Sequence, residues 1–192
     1  MKKWLMLALA ISALICGGCG GSDGGESSTQ YDLKSYFTSL NSVEKSWDMY
    51  ELKDSSFANI ASTAINNKTT SEIVSSSSVV IKDSEPWVPD ITITYPSEPY
   101  LEYSYNDDTV KLNRNINLGD NAGGSECSWA KHYEVFNILS YSFNDVLELK
   151  CINKSTFFAK NYGQVAEKST VSVTIDGEQA PNEYFIEVVN NI

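Results

Sequence analysis

Two cysteines near the N-terminus have a spacing that could support chemistry. Cys16 and Cys19 lie in the stretch "ICGGCGGSDGG" (15–25), where they form a C-x-x-C pair among glycines. A pair of this kind beside a βαβ pattern is typical of a thioredoxin-like redox site. No βαβ pattern surrounds this pair, and it directly follows a short apolar run. The spacing alone therefore does not predict a redox centre.

The apolar run before the cysteines predicts a secretory signal over residues 1–18. Met1, Lys2 and Lys3 form a positively charged start, and the following run from Trp4 to Ile15 contains one polar residue. A helix of this length, at 1.5 Å per residue, is too short to cross ~30 Å of hydrocarbon. A charged start, a short apolar run and small residues behind it are the features of an export signal.

The same segment resembles a bacterial lipoprotein signal. In that family, the cysteine that follows the apolar run and small residues receives a diacylglyceryl group and becomes the new N-terminus. Cys19 follows Gly17 and Gly18, whereas Cys16 follows Ile15 and stands where the family usually has Leu. The resemblance therefore implies lipidation at Cys19. A plain secreted protein is the alternative.

The resemblance also implies a location and a domain organisation. Two or more acyl chains are enough for stable membrane anchoring. Residues 19–30 would then comprise the lipidated cysteine and a Gly/Ser tether, and 31–192 a single β-rich domain. The membrane becomes a partner through the lipid, and the bacterial cell envelope becomes the location. Because Gly20 rather than Asp follows the cysteine, the resemblance implies the outer membrane in a Gram-negative cell.

The charge of the chain makes nucleic acid an unsuitable partner. The chain carries 14 Lys and Arg against 25 Asp and Glu, a net charge of −11. Removal of residues 1–18 takes away two lysines and no acid, which brings the charge to −13. A strongly negative protein is repelled by phosphate backbones. We therefore expect no nucleic-acid partner, and solubility is the simplest explanation of the acidity.

The only histidine, His132, does not predict a catalytic or metal centre. A zinc site built from several histidines is excluded within one chain, and no Ser or Cys is visibly matched to His132 for a triad. We interpret it as a histidine on the face of a strand. The sequence predicts no catalytic residues, no metal ligands and no cofactor.

Aromatic residues are the main candidates for ligand contacts. The chain has 11 Tyr and 4 Trp, and aromatic-rich concave sheets bind lipids, peptides or sugars by stacking and apolar contact. The simpler interpretation is that Tyr and Trp are favoured on strands without any ligand. The candidate ligand-contacting residues are Trp87, Tyr100, Tyr103, Tyr105 and Trp129.

The body of the chain predicts β-strands. "DITITY" (90–95), "VLELKC" (146–151) and "STVSVTID" (169–176) alternate apolar and polar residues, which is typical of half-buried strands. "YLEYSY" and "VKLN" flank 106–108, a hairpin turn by composition. Residues 56–67 could form a short helix or a strand and loop. Further strands are expected at 45–52, 72–81, 132–139, 155–160 and 183–189.

These strands predict a mainly-β fold. Their near-regular spacing, without crossover helices between them, favours an antiparallel meander. We expect an open curved sheet or half-barrel with few short helices.

Two segments resemble parts of uncharacterised bacterial lipoproteins that have a meandering β-sheet. In "YDLKSYFTSLNSVEKSWDMYEL" (31–52) a Tyr-Phe pair precedes a Trp-x-x-Tyr strand. In 145–169 a strand is followed by an aromatic pair, Ala, Gly and Val. The resemblance implies an open antiparallel sheet and brings no catalytic residue or ligand. The matching positions are Tyr36, Phe37, Trp47 and Tyr50, then Phe157, Phe158, Ala159, Gly163 and Val165.

The two cysteines of the exported domain predict a disulfide. Cys127 and Cys151 are an even number of thiols in a compartment that can oxidise them. If 132–139 pairs with 145–151 through a turn at Ser142 to Asn144, the two cysteines lie close together. Two separate buried thiols are the alternative.

Two functional hypotheses follow. The first is a lipid-anchored envelope protein whose aromatic-rich sheet has a non-enzymatic binding or structural role, with a hydrophobic ligand or an envelope protein as partner. The second is a lipid-anchored hydrolase that uses carboxylates. Acidic pairs are common in so acidic a chain, so only their convergence in a pocket would support catalysis. The acids considered are Glu98, Glu102, Asp107 and Asp108.

Overall fold

The structure, a computed structural model, describes most of the chain after residue 28. Cys19, Trp87, Glu98 and Asp107 lie outside the described residues. The described ranges are 29–37, 43–53, 56–59, 68–75, 77–83, 89–97, 99–105, 108–123, 126–171, 174–175, 178–179 and 183–191.

The described residues are mainly extended, as the period-two pattern predicts. The elements are β1 (Tyr31–Asp32), α1 (Lys34–Phe37), β2 (Val43–Lys53), β3 (Ser56–Asn59), β4 (Lys68–Ser75), β5 (Ser78–Asp83), β6 (Ile91–Ser97), β7 (Tyr100–Tyr105), β8 (Asp108–Asn113), β9 (Asn115–Ile116), β10 (Ser128–Ile138), β11 (Tyr141–Lys150), β12 (Lys154–Ala159), β13 (Gly163–Val171), β14 (Thr174–Ile175), β15 (Glu178–Gln179) and β16 (Glu183–Val189).

Twelve of the strands form one antiparallel sheet that is open at both ends. Its order is β10-β11-β12-β13-β16-β2-β4-β5-β6-β7-β8, and β3 also pairs with β2. The centre of the sheet is β2, which pairs with β16 over 47–51 and with β4 over 43–46. The remaining strands form two short ladders, β1 with β9 and β14 with β15. The mainly-β, open antiparallel fold predicted from sequence is confirmed.

The N-terminal segment 31–37 fills the space between the two ends of the sheet. Leu33, Tyr36 and Phe37 are buried in one core with residues from both ends of the strand order. The sheet therefore curves around this segment, and we call the side that carries this core the concave face. Its sheet members are Ile93, Tyr95, Leu101 and Leu112 from β6 to β8, and Trp129, Leu147, Leu149 and Phe158 from β10 to β12.

Polar contacts fix the same segment to the chain between β8 and β9. The guanidinium of Arg114 binds both carboxylate oxygens of Asp32, at 2.9 Å from Nε and 2.8 Å from Nη2. The Leu33 amide donates to the Arg114 carbonyl at 2.8 Å. A contact through two hydrogen bonds fixes the relative orientation of the two charged groups in addition to their attraction. The start of the domain is thus held at a defined position inside the curved sheet.

A lysine and a glycine approach closely beneath α1. Lys45 is buried and donates to the carbonyls of Tyr162 and Gln164, and burial lowers the pKa of its ammonium to about 8. Gly163 has a φ of 76°, and a Cβ there would meet Lys45 Nζ and the Phe37 carbonyl at 3.3 Å. A side chain at position 163 is therefore disfavoured by both backbone conformation and space.

The β10–β11 hairpin bends away from the sheet and covers its outer face. Phe136, Ile138 and Phe143, near the hairpin tip, pack in a second core with outward-facing residues of β12, β13 and β16. The Tyr141 hydroxyl donates to Asp48 of β2 at 2.5 Å, although β2 lies four strands away from β11 in the sheet. Only a hairpin folded over the intervening strands can make this contact.

The bend coincides with Asp145, which has a left-handed backbone conformation with a φ of 52°. On the C-terminal side of the bend β11 pairs with β12, beginning at Val146. Non-glycine residues adopt this conformation rarely, and Asp and Asn tolerate it better than most. The local sequence therefore permits the bend, and the tertiary contacts of Asp145 stabilise it.

The structure contains the predicted Cys127–Cys151 disulfide, with an S–S distance of 2.06 Å. The bond continues the β10–β11 ladder by one step, since Ser128 pairs with Lys150. The two cysteines are 24 residues apart, so the bond stabilises the fold by about 3 kcal/mol through restriction of the unfolded chain.

Several predicted boundaries are wrong. The β10–β11 turn lies at Leu139 and Ser140 rather than 142–144. The predicted strand 72–81 is a hairpin of β4 and β5, because the chain reverses between Ser75 and Ser78, which pair with each other. The predicted strand 169–176 is divided between the end of β13 and β14. For the segment 56–67, where the sequence predicts a short helix or a strand and loop, residues 56–59 form a strand, and 60–67 lie outside the described residues.

Candidate functional site

The aromatic residues singled out from sequence do not form one surface. Trp129 is 1% exposed and belongs to the core, so it cannot contact a ligand without rearrangement. Tyr100 is 46% exposed, whereas the next residue, Leu101, is fully buried on the concave face. Tyr103 and Tyr105 share the face of Leu101, and Tyr103 packs against the core. Of the described candidates, Trp129, Tyr103 and Tyr105 face the concave side, and only the two tyrosines are partly exposed.

The acids singled out from sequence do not converge either. Glu102 alternates with Leu101 and Tyr103, so it faces outward, where Lys111 lies 3.3 Å from its carboxylate. Asp108 is exposed at the start of β8. Neither residue lies near a second carboxylate on the concave face.

A different pair of acids meets on the concave face through strand register. Thr156 of β12 pairs with Glu167 of β13, and Glu167 pairs with Glu187 of β16. Residues paired across neighbouring strands project to the same side of a sheet. Lys154 is two residues from Thr156 and so shares this side. We call Lys154, Thr156, Glu167 and Glu187 the acid–lysine cluster.

Glu167 is the best-coordinated acid of the cluster. Lys154 Nζ lies 3.5 Å from Glu167 Oε2, and these two side chains are only 12% and 10% exposed. Gln164 Nε2 lies 3.4 Å from the same oxygen, and Thr156 donates a further hydrogen bond to the carboxylate. Burial raises the pKa of Glu167 despite these partners, and it lowers the pKa of Lys154.

Glu187 lacks comparable partners. Within the described part of the chain, its carboxylate has no hydrogen bond or ion pair. Burial, and then the negative charge of Glu167, raise its pKa to about 7. Lys154 opposes this shift, and Asp83 adds to it. At neutral pH the cluster therefore holds two carboxyl groups, one of them close to half-protonated, and one ammonium group.

The opposite wall of the curved sheet contributes a tyrosine to the cluster. Burial, and then the charges of Tyr105 and Glu167, raise the pKa of Tyr103 to about 12. Tyr103 lies on β7 and Glu167 on β13, so their interaction crosses the concave space. The two ends of the sheet thus face each other at this cluster.

A groove of about 290 Å³ lies at the β11–β12 turn, and Lys154 is one of the residues that line it. Lys154, Ser169 and Phe185 form a second row across β12, β13 and β16 and line this groove. Cys151 and Ile152 line it at the β11–β12 turn, and Ile152 is 73% exposed. The disulfide holds this turn in place. The lining also includes Lys150 and Lys168 and neither acid of the cluster, so the charged groups of the groove are lysines.

A second polar cluster surrounds Asp145 at the hairpin bend. Its Oδ1 accepts hydrogen bonds from Tyr36 at 2.5 Å and from His132 at 2.8 Å, and Lys160 Nζ lies 3.1 Å from Oδ2. Tyr31 lies against the His132 ring, with 4.9 Å between the ring centres. We call Asp145, Tyr36, His132 and Lys160 the Asp145 cluster.

The Asp145 cluster is fully coordinated, which favours a structural role. Burial alone would raise the pKa of Asp145, but hydrogen bonds from Tyr36, His132 and Lys160 outweigh it and hold this pKa below its usual value. Burial and Asp145 together raise the pKa of Tyr36. His132 lies on a strand face, as predicted, and its bond to Asp145 joins two strands and α1.

The sequence held one signal for the acid–lysine cluster. In the predicted strand 183–189, Glu187 shares the face of Phe185 and Val189, and Val189 is 1% exposed. An acid between two apolar residues on one strand face indicates a special environment. The meeting of Glu187 with Glu167 could not be predicted, because it depends on the β13–β16 register.

Three further observations assign no additional role to the described residues. Among the described residues, no three His, Cys, Asp or Glu side chains are grouped as metal ligands would be. No described helix has the length and apolar character needed to cross a bilayer. Comparison of the sequence with protein-family models and with curated proteins finds no match.

Proposed function

We propose that this chain is a lipid-anchored protein of the bacterial cell envelope that binds a cationic partner on its concave face without turnover. The observation that carries the proposal is the charge of the acid–lysine cluster. Two neighbouring carboxyl groups, Glu167 and Glu187, share one cation, Lys154. One more positive charge would neutralise the cluster.

The geometry around Glu187 supports a cationic ligand. A partly buried carboxylate without donors is an unfavourable state, and hydrogen bonds to charged groups contribute on the order of 1.5–3 kcal/mol each. A bound ammonium or guanidinium group would supply the donors that Glu187 lacks.

The proposal implies that binding is linked to proton release. Because the pKa of Glu187 is about 7 in the free protein, a cation binds best after this group has lost its proton. Glu167, Lys154 and Asp83 also act on Glu187, but only Lys154 favours its charged form. Affinity should therefore increase as pH rises from about 6 to about 8.

The membrane part of the proposal rests on the sequence. The export signal, Cys19 and the Gly/Ser tether imply an acylated N-terminus. In a Gram-negative cell we propose the outer membrane as the location, and an envelope component with an exposed cationic group as the partner.

The hydrolase alternative gains one supporting observation. Glu187, with a pKa near 7, lies beside a second carboxyl group, which is a combination used in general acid–base catalysis. The acids involved would be Glu167 and Glu187 instead of those considered from sequence. We favour binding because Glu167 is occupied by Lys154, Gln164 and Thr156.

Calorimetric titration of the detergent-purified protein tests the proposal. With n-butylammonium and trilysine as probes at pH 8, we expect binding that weakens at least about tenfold in Glu187→Gln. Glu102→Gln, which removes an outward-facing acid, is the matched control and should bind like the wild type. Absence of binding, or equal binding by Glu187→Gln, would contradict the proposal. The hydrolase would be favoured if the protein hydrolysed chromogenic esters or glycosides and if this activity were lost in Glu187→Gln but kept in Glu102→Gln.

A further inference from the structure

Two lysines lie in one row on the outer face of the sheet. Lys150 alternates with Leu149 of the concave core, so its side chain projects outward. Lys150 pairs with Ser155, and Ser155 pairs with Lys168, so the three residues share this face on β11, β12 and β13. We call them the lysine row. Within the described part of the chain, neither lysine of the row forms an ion pair with an acid.

An acid on the same face, Glu148, is held by other groups. Its Oε2 accepts a hydrogen bond from the Tyr133 hydroxyl at 2.7 Å, and its Oε1 accepts one from Ser155 at 2.9 Å. Its cross-strand partner is Lys131 of β10, which offsets its negative charge. The two lysines of the row therefore remain an uncompensated positive charge on an otherwise acidic protein.

The groove at the β11–β12 turn lies against the lysine row. Its lining includes the whole row and Ile186, the next outward residue on β16. Ile186 is 5% exposed and belongs to the second core, whereas Ile152 at the turn is 73% exposed. Lys168 Nζ lies 5.6 Å from the centre of the Phe157 ring, beside the same core. The groove thus combines ammonium groups with apolar surface, and none of its described lining residues carries a carboxylate.

Backbone contacts and the disulfide fix the shape of the groove. The Cys151 amide donates to the Lys154 carbonyl at 2.7 Å, which closes the β11–β12 turn. The Thr170 amide donates to the Asn153 carbonyl at 2.9 Å, which joins this turn to β13. The bond between Cys151 and Cys127 fastens the turn to the start of β10. Because the groove is preformed, binding there has a small ordering cost.

We propose that this groove binds a phosphate monoester that carries an apolar group. Such a monoester has a charge of about −1.5 to −2 at neutral pH, which matches two ammonium groups. A lysine binds phosphate as a point charge, so a row of two needs no planar arrangement of donors. A carboxylate would neutralise only one of them. The apolar group of the ligand covers Ile152 and contacts Ile186.

The site is separate from the proposed cation site. The lysine row lies on the outer face of the sheet, and the acids Glu167 and Glu187 lie on the concave face. A soluble alkyl phosphate and the headgroup of phosphatidic acid both present the chemistry that the groove would recognise.

Titration of the detergent-purified protein with n-butyl phosphate tests the site. We expect binding that weakens about tenfold in Lys150→Gln and in Lys168→Gln, because each removes one charged contact. Lys111→Gln, which removes an exposed lysine on β8, is the matched control and should bind like the wild type. Inorganic phosphate should bind more weakly than n-butyl phosphate, and Ile152→Ser should reduce this difference.

Acetylation of the wild type by a small anhydride tests the site without a variant. n-Butyl phosphate should slow the acetylation of Lys150 and Lys168 relative to that of Lys111, as measured by peptide mass spectrometry. The same measurement with phosphatidylcholine vesicles, with and without phosphatidic acid, identifies the source of the ligand. Protection by the phosphatidic acid assigns the ligand to the membrane, and protection by n-butyl phosphate alone assigns it to a soluble monoester.

Several outcomes would overturn the inference. They are absence of n-butyl phosphate binding, an equal loss in Lys111→Gln and Lys150→Gln, and protection by neither form of the phosphate. Equal affinity for inorganic phosphate would also overturn it, because the apolar surface would then contribute nothing. Glu187→Gln separates this site from the proposed function, since it should weaken trilysine binding without loss of n-butyl phosphate binding. Loss of both would show that the two sites are one, against the inference.

Discussion

Asp145 and Glu187 are partly buried carboxyl groups whose pKa values shift in opposite directions. Asp145 accepts bonds from Tyr36, His132 and Lys160, which keep its pKa low. Glu187 has no such donors, and burial beside Glu167 raises its pKa to about 7. Glu187 is the more deeply buried of the two, since the Asp145 side chain is 38% exposed. The difference therefore reflects both the depth of burial and the donors around each group. A carboxylate stabilises a fold only when the fold supplies its partners.

The two clusters therefore have different expected roles. The Asp145 cluster joins α1, β10 and β11 at the hairpin bend, where the contacts stabilise an unusual backbone conformation. The acid–lysine cluster lowers stability at neutral pH and lies beside a groove that opens to solvent. Proteins tolerate such unfavourable groups chiefly at functional sites.

Removal of the Glu187 charge should have the largest effect on stability. Between the unfolded pKa of 4.5 and the folded value of about 7, the folded state binds more protons, so the wild type loses stability as pH rises through this window. The cost is complete above pH 7. With about 1.4 kcal/mol for each pKa unit, Glu187→Gln should stabilise the protein at pH 8 by on the order of 3 kcal/mol.

Urea denaturation at pH 8 and pH 4 measures this effect. The gain should vanish at pH 4, where both the folded and unfolded wild type carry a protonated Glu187. A gain of equal size at both pH values would show that charge is not its cause. Glu102→Gln should be nearly neutral at either pH.

Removal of the Asp145 charge should lower the stability of the fold, which is the opposite of the effect at Glu187. Asn tolerates the left-handed conformation, so Asp145→Asn changes charge with little effect on the backbone. The side chain is 38% exposed, and solvent screening therefore keeps the expected loss near 2 kcal/mol, or about one charged hydrogen bond.

The pH dependence distinguishes this loss from a packing defect. The lowered pKa of Asp145 contributes stability above its unfolded pKa, and this contribution is lost as pH falls through the folded value. Urea midpoints of the wild type and Asp145→Asn should thus converge in acid. A constant difference down to low pH would indicate a defect unrelated to charge, and Asp108→Asn controls for an exposed acid.

Loss of the single hydrogen bond that Tyr36 donates to Asp145 should have the smallest effect on stability. Tyr36→Phe removes the hydroxyl that binds Asp145 and keeps the buried ring, so we expect a loss of about 1 kcal/mol. Thermal or urea denaturation measures it. In Asp145→Asn the same substitution should cost less, because the charged acceptor is gone. Additive losses would mean that Tyr36 acts through packing alone.

The sequence predicts strands better than it predicts either cluster. Alternation places Ile93, Leu147 and Leu149 on the concave side, because one face of each strand is buried. The bend at Asp145 is not visible in the sequence, since Asp prefers ordinary conformations unless distant donors hold it. Glu167 and Glu187 are far apart in the chain and meet only through a register set by the whole sheet.

The position of the N-terminal segment has a mechanical consequence. Residues 31–37 complete the concave core, and Asp32 and Tyr36 fasten them to Arg114 and Asp145. In a chain acylated at Cys19, a pull on the membrane anchor would act first on this segment. The force would load the Asp32–Arg114 ion pair and the two-residue β1–β9 ladder before it reached the main sheet. Extraction of the segment under tension would separate the two ends of the sheet that share its core.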